Sequence, residues 1–272
     1  MTKTILITGA SKGIGKTTAL LFASKGWNVI AAMRNPKEET ELTKLDNVLV
    51  TQLELRDVAS IKKTLSEGLT RFGKIDVLVN NAAYGQYGLF EAQTPAQISE
   101  QFEVNVLGTM NVVREALPLF RENKGGIIIN ISSGGGRVGI PMISSYAASK
   151  FALEGWTESV SYELASQNII VKLIEPGGVE TPFHATAANK FANNPALSSY
   201  EEFTTAFAKK FESMHGGIAT AQQVADEIYT AATDNTNQLR YLVGNDVKGW
   251  VELRTTHSDA DYINKMREQF AI

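Results

Sequence analysis

The sequence contains no cysteine and only three histidines in 272 residues. Without cysteine, the chain can form neither disulfide bonds nor thiolate metal sites. His184, His215 and His257 are too far apart to show a metal-ligand spacing, so we expect no metal site. A chain without disulfides suits a reducing compartment, and we expect the protein to be cytoplasmic.

Long apolar runs and a large net charge are also missing. No apolar stretch approaches the ~20 residues that a membrane span needs. The first β-branched run begins near residue 3, which we expect to leave no room for a signal peptide. The 26 basic and 29 acidic residues leave a net charge of −3, so we expect no nucleic-acid partner and no membrane partner.

What the sequence does contain is a regular alternation of two patterns. Short β-branched runs predict strands at 3–8, 28–33, 48–53, 75–80, 126–132, 169–175 and 240–243. Amphipathic stretches predict helices at 14–25, 58–72, 97–122, 146–166 and 220–233. The alternation predicts an α/β fold, a Rossmann-type doubly wound parallel sheet of about seven strands with helices on both faces. Because no linker interrupts it, we expect one domain over residues 1–272.

A glycine-rich turn lies between the first predicted strand and the first predicted helix. It has the sequence Thr8-Gly-Ala-Ser-Lys-Gly-Ile-Gly15. Glycines let the backbone approach a pyrophosphate, whose charge then meets the helix N-terminus. The spacing Gly-x-x-x-Gly-x-Gly is one residue longer than the common dinucleotide fingerprint. The turn predicts a dinucleotide site, and the alternative is a plain connection that binds nothing.

Tyr146 and Lys150 lie four residues apart in a predicted helix and therefore share one face. A free phenol titrates near pH ~10, and a neighbouring ammonium lowers its pKa, so Tyr146 can exchange a proton near neutrality. Ser133 stands thirteen positions before Tyr146, at a strand end. Ser132 competes with it, because successive strand residues face opposite sides. Taken alone, Tyr-x-x-x-Lys usually marks only a helix face.

Six elements occur in one order along the chain. They are Thr8-Gly9-x-x-x-Gly13-Ile14-Gly15, Asn80-Asn81-Ala82, Asn105, Ser133, Tyr146-x-x-x-Lys150 and Pro176-Gly177. The set resembles the short-chain dehydrogenase/reductase family from residue 3 to about residue 181. The resemblance implies an oxidoreductase, with four catalytic residues: Asn105, Ser133, Tyr146 and Lys150.

The resemblance also gives each of these residues a role. Ser133 and Tyr146 hydrogen-bond the substrate carbonyl, and Tyr146 delivers the proton. Lys150 holds the nicotinamide ribose and lowers the pKa of Tyr146. Asn105 holds a water that connects Lys150 to solvent, and the alternative for Asn105 is a polar side chain merely tolerated in a helix.

The cofactor contacts implied by the resemblance come from the glycine turn, the strand ends and the segment after the sixth strand. They are Gly9, Ser11, Lys12, Gly13, Ile14, Gly15, Arg34, Glu54, Leu55, Asn81, Ala82, Tyr146, Lys150, Pro176, Gly177, Val179 and Thr181. Glu54 stands where the family usually has an aspartate near the adenine, and Ala83 stands where it has a glycine. Thr181 would bond the nicotinamide carboxamide.

Two cations favour NADP(H) as the cofactor. An NAD site places a carboxylate near the end of the second strand, ~20 residues past the glycines. Here that strand ends at Met33-Arg34-Asn35, with no acid before Glu38. Arg34 suits a 2′-phosphate, and Lys12 in the glycine turn adds a second positive charge. The alternative is that both are solvated surface cations.

We therefore expect hydride transfer between NADP(H) and a carbonyl compound or secondary alcohol, with ketone or aldehyde reduction favoured. The chain looks like an NADP(H)-preferring carbonyl reductase or hydroxysteroid dehydrogenase. Apolar and aromatic residues flank the site and suggest an apolar, medium-sized substrate: Tyr84, Tyr87, Phe90, Met142 and Ile143. Two alternatives on the same fold are a non-catalytic NADP(H)-sensing protein and a different reaction, such as dehydration or dehalogenation.

Residues 182–219 form a connection far longer than usual. Phe203, Phe207 and Phe211 recur every four residues and predict an amphipathic helix at 201–214. We expect 182–219 to be a mobile substrate lid whose aromatic face closes over the site. The alternative is that this face packs on the core.

Three further expectations concern the lid hinge, the end of the chain and its assembly. Gly216 and Gly217 would form the hinge of the lid. Residues 244–272 would be a C-terminal extension. The helices at 97–122 and 146–166 would pair in a homo-oligomer, either a dimer or a tetramer.

Overall fold

The computed structural model describes residues 2–213 and 217–270. Gly216, one of the two predicted hinge residues, and His215 lie outside the described residues. Gly217 has a φ of 89°. Within the described part of the chain, no helix is long and apolar enough to cross a bilayer.

In residues 2–213 and 217–270, nine strands form two sheets. They are β1 Thr4–Thr8, β2 Asn28–Met33, β3 Val48–Gln52, β4 Val77–Asn80, β5 Gly126–Ile131, β6 Ile169–Pro176, β7 Val179–Glu180, β8 Ala219–Thr220 and β9 Arg240–Val243. Seven of them make one parallel sheet in the order β3-β2-β1-β4-β5-β6-β9, and β7 pairs with β8. The seven predicted strands are confirmed, each within two residues.

The helices alternate with these strands. They are α1 Gly13–Ser24, α2 Val58–Phe72, α3 Pro95–Phe102, α4 Thr109–Glu122, α5 Ser144–Ala165, α6 Phe183–Asn189, α7 Glu201–Ser213, α8 Ala221–Thr233, α9 Asn245–Thr256 and α10 Asp259–Phe270. Capping fixes several ends. The Asp57 carboxylate accepts the N–H of Ala59 before α2, and Gly73 with φ 82° ends that helix.

The prediction of one continuous α-helix over 97–122 was wrong at its centre. A π-helical segment, Glu103–Gly108, separates α3 from α4. Asn105 lies within it, and its side chain is bonded to the backbone of Tyr84. Wider π turns of this kind are often found at functional sites, because they re-aim side chains that a regular helix would point elsewhere.

Apolar side chains pack on both faces of the sheet. In β1, Ile5 and Ile7 join a cluster with α1 and α8, whereas Leu6 between them joins a second cluster with α2 and α4. Alternate residues of a strand point to opposite faces, so a strand covered on both sides has no polar face. The predicted doubly wound architecture is confirmed.

A third cluster lies between α7 and the C-terminal helices. Phe207 of α7 packs with Tyr262, Met266 and Phe270 of α10, and the Phe207 and Phe270 ring centroids are 6.0 Å apart. The predicted helix at 201–214 is present as α7. Its aromatic face packs on α9 and α10, which supply the apolar surface that this face needs, and the lid role of residues 182–219 stays a prediction.

Candidate active site

The sheet topology brings distant parts of the sequence to one edge. β1, β4, β5 and β6 are neighbours and parallel, so their carboxyl ends lie side by side, where ligands bind in such sheets. These ends are Thr8, Asn80, Ile131 and Pro176. The glycine turn, Asn81, Ser133 and Gly177 follow them and therefore meet at this edge.

The glycine turn is held close to the end of β4. The Nδ2 of Asn81 donates to the carbonyls of Thr8 (3.0 Å) and Gly9 (3.1 Å). Gly9 has a φ of 68°, and an added Cβ there would lie 2.8 Å from the Cα of Ala82. An added Cβ on Gly15 would lie 2.5 Å from Nδ2 of Asn81. Glycine is thus required at both positions because the turn lies so close to Asn81 and Ala82.

The first turn of α1 fits an anion. Lys12 at its N-cap makes no side-chain capping bond, and the first turn contains no acid. The N–H groups of a helix N-terminus that lack capping partners attract negative charge. Ser11 is exposed in the same turn, while Ile14 packs against the first core cluster. The residues present therefore fit the pyrophosphate of a dinucleotide.

The two predicted 2′-phosphate cations differ in their surroundings. Arg34 follows β2 directly and its side chain is exposed. Lys12 is also exposed, but its Nζ donates to Oγ1 of Thr186 in α6 (3.0 Å). Lys12 thus links the glycine turn to the segment predicted as a lid.

The adenine side of the edge carries Glu54 and Leu55. The Oε1 of Glu54 accepts from the backbone N–H of Arg56 (3.1 Å), so this carboxylate is held within its own loop. Leu55 is buried, and an added Cβ on Gly108 would lie 2.8 Å from its Cβ. Leu55 thereby offers an apolar surface beside the π-helical segment.

Tyr146 and Lys150 both point into the protein from α5. Their exposed fractions are 7% and 2%. The Nζ of Lys150 donates to the carbonyl of Ile131 at the end of β5 (2.7 Å) and lies 5.8 Å from the centroid of the Tyr146 ring. The predicted pairing on one helix face places the two side chains together at the strand end.

Burial governs the proton affinity of this pair. Burial raises the pKa of Tyr146 to about 12, although a hydrogen bond with Ser133 lowers it. Burial also lowers the pKa of Lys150 to about 8. The expected lowering of the Tyr146 pKa by Lys150 is not what this structure shows, because the loss of hydration dominates and the ammonium is bonded to a backbone carbonyl.

The two candidate serines are separated by the strand geometry. The Oγ of Ser133 accepts from the N–H of Gly135 (3.1 Å) and is hydrogen-bonded with Tyr146. Ser132 is buried on the opposite side, where its Oγ has no hydrogen-bond partner. An added Cβ on Gly136 would lie 2.8 Å from that Oγ. Ser133 is therefore the serine that shares a site with Tyr146.

Asn105 ties the loop after β4 to α5. Its Oδ1 accepts from the N–H of Tyr84 (3.1 Å), and its Nδ2 donates to the carbonyl of Tyr84 (2.9 Å). The same Nδ2 donates to Oγ of Ser149 (3.2 Å), the residue before Lys150. Asn105 thus reaches the Lys150 turn, and its water-relay role remains a prediction.

Aromatic rings surround the Tyr146 phenol. The Tyr87 ring centroid lies 6.0 Å from that of Tyr146, and the Phe183 centroid lies 5.9 Å from it on α6. Met142 adopts a φ of 66°, which is unusual for a non-glycine residue and typical of functional sites. Phe90, by contrast, is 62% exposed. The reacting end of the site is therefore apolar and aromatic.

The segment after β6 is held by β9 and α9. Gly177 N–H donates to the carbonyl of Val243 (2.8 Å), and Gly178 N–H donates to Oδ2 of Asp246 (2.6 Å). An added Cβ on Gly177 would overlap Oδ1 of Asp246. Asp246, in the first turn of α9, therefore fixes the backbone that leads from Pro176 towards Thr181.

Val179 and Thr181 bring this segment back to the glycine turn. Val179 is buried in β7, and its carbonyl accepts from Oγ1 of Thr181 (3.4 Å). An added Cβ on Gly13, whose φ is 56°, would lie 3.2 Å from Cβ of Thr181. The two loops that would flank a dinucleotide are thus in contact.

Comparison with known proteins agrees with this arrangement. Residues 3–193 match the short chain dehydrogenase family. The chain belongs to this family. An uncharacterized oxidoreductase of Schizosaccharomyces pombe is 37% identical over 243 residues, which cover 88% of this chain and 100% of the relative. The protein is thus an oxidoreductase of the short-chain dehydrogenase type.

Solved structures of short-chain dehydrogenases are similar as well. A short-chain dehydrogenase from Streptomyces avermitilis is 30% identical, with a TM-score of 0.79, and the match covers 100% of this chain and 96% of that one. ElxO with NADP bound is 28% identical, with a TM-score of 0.73, covering 89% of this chain and 98% of ElxO.

Within this short-chain dehydrogenase, the structure gathers the predicted catalytic residues around the end of β5. Sequence analysis missed Asp246, because its partner Gly178 is 68 positions away. The available signal was an acid that directly follows Gly244 and Asn245 after the last strand.

Among residues 2–213 and 217–270, no group of three or more His, Asp or Glu is placed to hold a metal.

Proposed function

We propose that this protein is an NADP(H)-dependent reductase of ketones or aldehydes, working reversibly as an alcohol dehydrogenase. The observation that carries the proposal is the convergence of Ser133, Tyr146 and Lys150 at the end of β5. A purely NADP(H)-sensing protein would need the dinucleotide site but not a buried, hydrogen-bonded phenol beside a buried lysine. The carbonyl-reducing function accounts for both.

The cofactor is NADP(H), held along the carboxyl edge of the sheet. The glycine turn and the N-terminus of α1 would hold its pyrophosphate, Arg34 would hold the 2′-phosphate, and Lys150 would bond the nicotinamide ribose. Thr181 and the backbone at Val179 would hold the carboxamide. The NADP bound in ElxO supports this choice. When bound, the reduced nicotinamide supplies a hydride to the substrate carbonyl carbon.

The chain's own groups handle the carbonyl oxygen. Ser133 and Tyr146 donate hydrogen bonds to that oxygen and stabilise the negative charge that develops on it. The Tyr146 hydroxyl then delivers its proton. Burial raises the pKa of Tyr146 to about 12, which makes the phenol a weak acid at neutral pH. The positive charge of Lys150 is therefore needed to stabilise the phenolate that remains.

The substrate is an apolar carbonyl compound of medium size. Tyr87 and Phe183 flank the phenol with their rings, and ring faces of this kind bind apolar or aromatic groups. A charged substrate would lose its hydration here without a partner. Relatives that share the fold differ widely in substrate, so the proposed substrate class rests on the side chains of the site alone.

Residues 182–219 act as a lid in a single catalytic domain that spans residues 1–272, with 244–272 as its extension. Phe183 contacts Tyr146 at one end of the segment, while Gln86 Nε2 donates to the carbonyl of Lys190 (2.7 Å). Opening these contacts would expose the site. The assembly is a homo-oligomer paired through α4 and α5, where Phe151 is exposed.

The test is Tyr146→Phe, assayed with NADPH and a panel of acetophenone, cyclohexanone and benzaldehyde. We expect turnover to fall by about 10² or more, the usual contribution of a general acid, while the affinity for NADPH changes little. Tyr162→Phe is the matched control, because that phenol lies on the same helix and is 72% exposed. Undiminished turnover in Tyr146→Phe would remove the basis of the proposal, and tight NADPH binding by a wild type that reduces none of the carbonyls would favour the sensor.

A further inference from the structure

A group of buried charges lies behind the catalytic helix, away from the substrate side. Glu154 and Glu175 are 5% and 1% exposed. Arg240 Nε lies 3.1 Å from Oε2 of Glu154 and 3.3 Å from Oε1 of Glu175, and Arg137 Nη1 donates to both oxygens of Glu175 (2.9 and 3.1 Å). Burying the carboxylates of Glu154 and Glu175 is costly, and the proposed mechanism uses neither of them.

Glu154 lies one helical turn beyond Lys150 on α5. The Glu154 side chain lies close to Gly136, where an added Cβ would lie 3.1 Å from Cγ of Glu154 and 2.8 Å from Oγ of Ser132. Ser132 directly follows Ile131, whose carbonyl accepts from Nζ of Lys150, so Glu154 and the Lys150 ammonium approach the same strand end. The Oε1 of Glu154 is buried and has no hydrogen-bond partner, and the nearby Oγ of Ser132 has none either. One carboxylate oxygen is thus bonded to Arg240, and the other is buried without a hydrogen-bond partner.

The surroundings of Lys150 contain few other charges. Tyr146 on its own helix and Asn105 on the π-helical segment are neutral, and Ile131 on β5 offers a backbone carbonyl. The remaining charged groups that face this region from β6, β9 and the turn after β5 are Glu175, Arg240 and Arg137. Glu175 is bonded to Arg137 and Arg240.

Burial favours the neutral form of a lysine, and a nearby carboxylate opposes it. Burial lowers the pKa of Lys150 to about 8, and the charge of Glu154 acts in the opposite direction. A reductase whose Lys150 lost its proton near neutrality would lose the charge that stabilises the Tyr146 phenolate.

We propose that Glu154 is a positioning residue whose carboxylate favours the protonated form of Lys150 from the side away from the substrate. Arg240 holds that carboxylate in place. The inference deepens the proposed function and rests on it. Glu154 touches neither substrate nor cofactor, and it acts only through Lys150. The buried Glu175 also contacts Arg240, and the half-buried Arg137 holds Glu175.

The test is the pH dependence of kcat with NADPH and whichever of the three carbonyls wild type reduces fastest. In Glu154→Gln, the decline of kcat at alkaline pH should begin roughly one pH unit lower, the smallest shift typical of removing an opposite charge near a lysine. Glu154→Met, which has similar length and leaves no polar atom, should show the same shift if the Gln variant folds poorly. Glu154→Asp keeps the charge and should return the decline towards the wild-type pH.

Glu158→Gln is the matched control. Glu158 accepts from Nη2 of the same Arg240 (2.5 Å) but lies one turn further from Lys150 and is 42% exposed. Its loss should leave the alkaline decline where it is in wild type. The pH dependence of NADPH affinity, followed by tryptophan fluorescence, should shift with Glu154→Gln in the same direction, because Lys150 binds the ribose.

A uniform loss of kcat at all pH values in Glu154→Gln, with an unmoved alkaline decline, would overturn the inference and leave Glu154 a structural residue. Equal shifts in Glu154→Gln and Glu158→Gln would also overturn it. Failure of the proposed function is distinguishable, since it would appear as a fully active Tyr146→Phe whatever the pH profiles show.

Discussion

Asp246 and Gly177 allow a quantitative test of how the C-terminal extension supports the site. Gly177 does not adopt a left-handed φ, and the three atoms nearest to a new Cβ there all belong to the Asp246 carboxylate, so this overlap is the main obstacle to Gly177→Ala. Overpacking of this kind costs about 2 kcal/mol. Asp246→Ala removes the acceptor of Gly178 N–H at 2.6 Å, which also costs about 2 kcal/mol for a bond to a carboxylate.

The two losses should not add. Without the Asp246 carboxylate, the alanine at position 177 has room, so the double variant should lose about 2 kcal/mol rather than about 4 kcal/mol. For a chain of this size each kcal/mol lowers Tm by roughly 2–4 °C. Thermal unfolding followed by circular dichroism can resolve this difference between the double variant and the sum of the single ones.

Gly249→Ala is the control for the effect of adding a methyl group. Gly249 is also on α9, and an added Cβ there meets nothing within 4 Å, so the substitution should stabilise the protein by up to ~1 kcal/mol. The affinity for NADPH should fall in Gly177→Ala and recover in part in the double variant. Additive losses within ~0.5 kcal/mol would refute a direct conflict between the two side chains.

Three further predictions concern the cofactor, the lid and acid–base behaviour. Arg34→Asp should lower the preference for NADPH over NADH by at least about tenfold in kcat/KM, the loss of one charge-assisted bond, whereas Lys37→Asp at an equally exposed position should not. Trypsin should cleave free protein at Lys190, Lys209 or Lys210, and NADPH should suppress cleavage; equal protection without NADPH would mean that 182–219 is fixed structure. The pKa of Glu175 is raised from 4.5 to about 7, chiefly by burial. Because the folded state then binds more protons than the unfolded chain, wild-type Tm should fall relative to Glu175→Gln as pH rises from 4.5 to 7, and parallel Tm curves would contradict this.

The sheet was predictable from the sequence because its strands are buried on both faces. A run such as Thr4–Thr8 is apolar or β-branched throughout, and that pattern does not depend on distant partners. The glycine turn was predictable for a similar reason, since Gly9 and Gly15 satisfy local requirements. Their contacts with Asn81 and Ala82 then followed from the order of parallel strands.

Other features were set by partners that sequence reading does not reveal. The π-helical segment at Asn105 depends on Tyr84, and the direction of the α7 aromatic face depends on α10. The pKa of Tyr146 was misjudged because a spacing of four residues shows proximity but not burial. In each case a tertiary contact or the loss of water outweighed the local pattern.

The bond between Gly178 and Asp246 also makes the two loops beside the site differ in how they are held. The glycine turn is held by Asn81, which follows a neighbouring strand of the central sheet. The backbone at Gly178 is held by a carboxylate on α9, 68 residues further along the chain. A change in α9 can therefore move the backbone that leads to Thr181 without passing through the central sheet.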